Sequence, residues 1–252
     1  MDDEQRIVTI LELATDVAEA ARVGGADAAV PSCPKWTMND LLEHVAMAYG
    51  GWYYSNLTLP PGTDDPIGAG MATMPPMPEA FVARVGYLER NAERFGQHAR
   101  EVDLDQDVWI FDSAGPARFW LDQTILEVGL HAWDAAIAVG RPSPLTPQIS
   151  VVGVEQLCAM TFHRGRWWGE PWTAPSTPFG LIALDTGDEW FVHDRDDGRG
   201  AFEREGAERA ATRASGTAEH LLLWLGGRMS ASEITIVGDP DLAEAWRPDW
   251  AS

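Results

Sequence analysis

The segment Trp120-Leu-Asp-Gln-Thr-Ile-Leu-Glu127-Val-Gly-Leu-His131-Ala-Trp-Asp134 carries the residues best suited to chemistry. On a helix turning about 100° per residue, Glu127 and His131 lie about 40° apart and one turn removed, so both point the same way. The apolar stripe of that helix centres on Leu126, Leu130 and Ile137, which puts Glu127 and His131 on its flank. His44 holds a similar place beside Leu41, Val45 and Ala48 in another periodic segment. Two imidazoles and a carboxylate converging from two helices would hold a divalent metal, zinc first, and leave one coordination position open. The same spacing also serves a weak Glu–His pair on an exposed helix, and a histidine beside an apolar stripe also serves as a hydrogen-bonded core residue. Spacing alone leaves these readings open.

Elements must bring the three together. Ile7, Ile10, Leu11, Ala14, Val17, Ala18 and Ala21 repeat at three and four, which predicts a first helix. Thr37 and Asp40 stand in capping-box spacing ahead of a second, whose stripe is Leu41, Leu42, Val45, Tyr49, Trp52 and Tyr53. The stretch Pro60–Pro78, rich in Pro, Gly and Met, reads as a long loop, a lid or a crossover connection. Phe81, Val85, Leu88, Ala92 and Phe95 mark a third helix, and a fourth is expected from Pro116 to Gly140. A four-helix bundle over residues 1–140 follows. The prolines of Arg141-Pro-Ser-Pro-Leu-Thr-Pro147 suit a stiff connector, so residues 148–252 are expected to form a separate domain. There Ile149–Phe162 reads as a helix. Leu181–Asp185 and Glu189–His193 read as two strands about a tight turn, Thr217–Leu225 as a helix, Glu233–Val237 as a strand and Pro240–Trp246 as a last helix. That is a small α+β domain.

Composition narrows the function classes. The chain has 252 residues, 45% of them hydrophobic and 23% charged, which suits a soluble globular fold. Its net charge of −21 is shared between both parts, −13 over residues 1–145 and −8 over 146–252. A nucleic-acid partner is therefore not expected, because phosphates would be repelled. Met1-Asp2-Asp3-Glu4 is unlike the basic start of a signal peptide, and even an apolar run such as Leu221–Leu225 is too short for a membrane span. Cys33 and Cys158 stand 125 positions apart and form neither a disulfide framework nor a Cys-x-x-Cys metal pair. A cytoplasmic protein is expected. Of its 18 basic residues only Lys35 is a lysine, a bias in keeping with a GC-rich genome.

The run Cys33-Pro34-Lys35-Trp36-Thr37-Met38-Asn39-Asp40-Leu41-Leu42-Glu43-His44-Val45-Ala46 resembles the opening signature of the mycothiol-dependent maleylpyruvate isomerase family, part of the DinB-like superfamily. Glu127-x-x-x-His131-x-x-Asp134 resembles its second signature. Gly216-Thr-Ala-Glu-His220-Leu-Leu-Leu-Trp224-Leu-Gly-Gly-Arg228 and Gly238-Asp239-Pro-Asp-Leu242 resemble its C-terminal part. The resemblance implies a DinB-like four-helix bundle followed by a sterol-carrier-protein-like α+β domain, with the metal on His44, Glu127 and His131. It implies mycothiol as the thiol cosubstrate and a small electrophile as substrate. Reaction is then cis–trans isomerisation of the maleylpyruvate type, or mycothiol S-transfer. A non-catalytic small-molecule or metal-binding module of the same fold, and a metal-dependent hydrolase, are the alternatives.

Arg228 matches a region where these isomerases keep a catalytic arginine, and its position also suits a cation at a helix C-terminus. The bundle face holding Asp122, Glu127 and Asp134 is acidic, so an anionic substrate is expected to need an arginine from the C-terminal domain. Arg164, Arg166, Trp167 and Trp168 could clamp such a substrate or cover apolar surface. Asp194-Arg-Asp196-Asp197-Gly198 has its Gly one position early for an EF-hand and reads as a solvated turn. His98, His163, His193 and His220 show no partner spacing. Asn56-Leu-Thr58 fits a glycosylation sequon, without consequence in a cytoplasmic chain.

Overall fold

The computed structural model describes residues 1–111, 113–163, 174–195 and 200–247. Arg164, Arg166, Trp167, Trp168, Asp196, Asp197 and Gly198 lie outside the described residues. The chain divides into two compact units, Met1–Pro144 and Leu145–Ser252.

In the first unit, α1 (Asp3–Gly24) opens on a capping box in which Asp2 and Gln5 exchange side-chain and backbone hydrogen bonds. It packs against both α5 (Phe81–Glu101) and α6 (Phe119–Ala138). Its buried face is therefore wider than a single stripe and includes Leu13 and Ala20, whereas Leu11 is only half-buried. Each fully buried Ile, Leu or Val there contributes about 1.5–3 kcal/mol of transfer free energy. α2 (Met38–Met47) begins at the Thr37–Asp40 box expected from the spacing. It does not run unbroken to Tyr53: Ala48–Trp52 is a π-helical turn, followed by the short α3 (Tyr53–Asn56).

The Pro60–Pro78 stretch is not a bare loop. It contains α4 (Pro66–Thr73), with Asp65 as N-cap and Pro66 in the first turn. This helix lies against the π turn, so close that a Cβ on Gly51 would sit 2.7 Å from the Gly70 carbonyl oxygen. Tyr87 donates to the Pro75 carbonyl, and Arg94 to those of Gly50 and Thr73, which ties the segment to α5. The expected helix start at Pro116 is also corrected. β1 (Asp107–Ile110) and β2 (Ser113–Pro116) form an antiparallel hairpin, Pro116 pairs with Asp107 at its end, and α6 starts three residues later. The sequon residue Asn56 is completely buried.

The second unit holds α7 (Pro147–His163), a five-stranded sheet and two more helices. Strand order is β5-β4-β3-β6-β7, over Gly200–Arg204, Glu189–Asp194, Phe179–Ala183, Thr212–Gly216 and Thr235–Val237. β3 and β6 pair in parallel and every other neighbour pair is antiparallel. Ala183 and Asp188 close the expected β3–β4 turn, where Gly187 takes a φ of 75° that suits glycine. α8 (Ala218–Leu225) and α9 (Pro240–Trp246) complete the unit. A helical N-terminal region followed by a mixed α+β sheet region is thus the fold class, as the periodicities predict. Among the described residues, no helix is long and apolar enough to cross a membrane.

Candidate metal centre

α2 and α6 pack together, and the side chains singled out from spacing meet between them. His44 Nε2 lies 2.8 Å from Glu127 Oε1, and His131 Nε2 lies 3.4 Å from the same oxygen. One donor atom from each residue falls within 4.8 Å of the other two. Zinc bonds of about 2.0–2.1 Å set tetrahedral neighbours about 3.4 Å apart, so the three donors fit one small divalent ion with little adjustment. Among the described residues, this is the one grouping of three such donors. His44 and Glu127 are half-buried and His131 is buried; solvent therefore reaches the centre from the His44–Glu127 side.

The surroundings hold the donors in place. Trp36, just ahead of α2, stacks on the His131 ring with centroids 5.6 Å apart and planes 25° apart, and it leans on His44 at 5.1 Å. The Nδ1 of His131 lies 2.9 Å from Oδ2 of the completely buried Asp134. The thiol of Cys33 reaches that oxygen at 3.8 Å. Burial opposes the charge on Glu127, yet hydrogen bonds from His131 and His44 hold its carboxyl well below the usual range. Burial likewise opposes a charged His131, but Asp134 and Glu127 outweigh it and raise the imidazole to about 9. Burial, then the nearby Glu127 charge, pushes the Tyr53 hydroxyl well above its ordinary value.

Helix geometry singled out His44, Glu127 and His131, and the family resemblance implied the same three as metal ligands. Helix geometry did not give work to Trp36 or Tyr53, whose places depend on the turn before α2 and the π turn after it. Asp134 was visible as part of a motif, three residues past His131, without a stated task. Arg228 belongs to the second unit; its side chain is half-buried just past α8 and donates to the Gly226 carbonyl at 2.7 Å. That contact is the helix-end cation its position also suits.

A helical unit with a two-histidine, one-glutamate donor set narrows the class to proteins that can hold a metal at a helix interface. Comparison with known proteins then gives the family. The family described as mycothiol maleylpyruvate isomerase N-terminal domain matches residues 9–136, just over half of the chain, and the chain belongs to it. Two proteins of Mycobacterium tuberculosis strains, both called uncharacterized and designated MT0763 and Rv0738, are 28% identical over 142 residues. That alignment covers 55% of this chain and 69% of each of theirs. Crystal structures of the mycothiol-dependent maleylpyruvate isomerase, and of a mutant with a histidine replaced by alanine, share the fold. Each has a TM-score of 0.56 at 16% identity, covering 94% of this chain and 93% of the other.

Proposed function

We propose that this chain is a metal-dependent, thiol-utilising enzyme, with a divalent ion, zinc first, on His44, Glu127 and His131 and mycothiol as the thiol. The convergence of two imidazole nitrogens and one carboxylate oxygen within 4.8 Å is the observation that carries this reading. When bound, such an ion leaves a position for a thiol and favours its thiolate form at neutral pH. Glu127 would supply the negative charge of the donor set, and Trp36 packs against both imidazole rings. Addition of the thiolate sulfur to a cis-enone forms a C–S bond and moves the electron pair to the carbonyl oxygen. Rotation about the former double bond, then expulsion of the thiolate, returns the thiol and yields the trans isomer. Displacement of a leaving group instead would give an S-conjugate.

Arg228 is proposed as the cation that stabilises the enolate oxygen or binds a substrate carboxylate. The division into domains is proposed as residues 1–140 and 148–252. The enzyme is read as cytoplasmic, serving small molecules rather than nucleic acid or membrane.

The test is turnover of maleylpyruvate with mycothiol, followed by absorbance. Isomerisation that needs both thiol and metal, and that is lost in His44→Ala, is expected. Arg228→Ala should keep the metal and lower turnover by about two orders of magnitude, the usual scale for losing one charge-stabilising group. Equal turnover in His44→Ala would contradict the reading.

A further inference from the structure

Asp134 is a carboxylate with no exposed surface, and a buried charge persists only where hydrogen bonds or an opposite charge compensate its lost hydration. Its Oδ2 lies 2.9 Å from His131 Nδ1, one turn earlier on α6, and within reach of the Cys33 thiol. A carboxylate at this distance accepts from an imidazole N–H, an arrangement that sets the proton on Nδ1. With Nδ1 engaged, the other ring nitrogen, Nε2, faces Glu127 at 3.4 Å.

Trp36 alone cannot achieve this. Its stacking restrains the plane of the His131 ring, but a half-turn of the ring within that plane's stack would exchange the two edges at little cost in contact. A hydrogen-bond acceptor on one edge makes the two orientations unequal. We infer that Asp134 is a positioning residue, fixing His131 as the Nδ1–H tautomer so that Nε2 is presented to a metal shared with His44 and Glu127. The inference rests on the metal reading above, but the tautomer can be read without any metal.

The experiment uses the full chain. Zinc affinity is measured by competition with a chromophoric chelator, and the imidazole nitrogens are followed by ¹⁵N NMR in zinc-loaded and metal-free protein. Asp134→Ala is expected to weaken zinc binding about 10–100-fold, and Asp134→Asn, which keeps a carbonyl acceptor, to lose less. Loaded wild type should show a protected Nδ1–H on His131, which Asp134→Ala loses. A role confined to packing would lower stability without changing tautomer. The same affinity and the same His131 spectrum in folded Asp134→Ala would overturn the inference. Should Asp134→Ala not fold, Asp134→Asn and the wild-type spectrum decide. If wild type takes up no zinc, the metal reading falls, and the metal-free spectrum at alkaline pH still decides. A neutral His131 protonated on Nδ1 supports the assignment, and one protonated on Nε2 overturns it.

Discussion

Glu127 and His131 titrate in opposite directions from one another, and the consequence is measurable in the metal-free protein. His131 is raised from its ordinary 6.5 to about 9, so the folded state binds its proton more tightly than the unfolded chain does. That contribution is complete below about pH 6.5 and is lost as pH rises through 9. Glu127 is held well below its ordinary value, so its contribution is present above the usual carboxylate range and is lost as pH falls through the folded-state value. Urea melts of chelator-treated protein should therefore show stability falling from pH 6.5 to 9, and His131→Gln should remove most of that fall. A flat profile in wild type would contradict the proton-sharing cluster. Cys158, buried on α7, is pushed up to about 12 and is expected to resist thiol reagents in the native protein. Its labelling before unfolding would count against the packing of α7.

α2 places His44, and its start is set by one cap. Thr37 accepts from the Asp40 backbone, and Asp40 accepts from the Thr37 backbone and hydroxyl. Thr37→Ala should cost about 1 kcal/mol in chemical denaturation and weaken metal binding with it. Gly51→Ala should cost about 1–3 kcal/mol, because its methyl group would meet the Gly70 backbone rather than a movable side chain. An unchanged midpoint in either variant would show that the element is held by other contacts. The elements that sequence reading recovered are those with a repeat, an alternation or a cap: α1, α2, α5 to α9, β3, β4 and β7. What it missed lacks such signals. α4 is Pro-Ile-Gly-Ala-Gly-Met-Ala-Thr, with no apolar face to count. β2, β5 and β6 are poor in β-branched residues and exist because neighbouring strands pair with them. The π turn packs closely against α4, a contact between segments that no local pattern reports. Glu127 and His131 were legible as a pair because i, i+4 spacing on α6 is local, and His44 by its place beside the apolar stripe of α2. The tasks of Trp36 and Asp134 were not, since ring stacking and burial arise only on folding.

The two units differ in kind, one helical and carrying the candidate metal donors, the other a sheet region carrying Arg228. If they are separate domains, a nonspecific protease should cut within residues 141–147 and leave an N-terminal fragment that still takes up zinc. A fragment that loses zinc would contradict an N-terminal unit that holds the metal by itself. At the scale of the molecule, the chain belongs to the mycothiol maleylpyruvate isomerase N-terminal family and shares a fold with the solved isomerase; the thiol-binding metal is the proposal. The claim that joins them is that the centre holds a metal and offers it to mycothiol. The most direct measurement is the optical spectrum of the cobalt-substituted full chain, recorded before and after addition of mycothiol. About one cobalt per chain and a new sulfur-to-cobalt charge-transfer band on adding the thiol are expected, and neither in His44→Ala. A protein that takes up no cobalt, or whose cobalt spectrum mycothiol leaves unchanged, would contradict that claim.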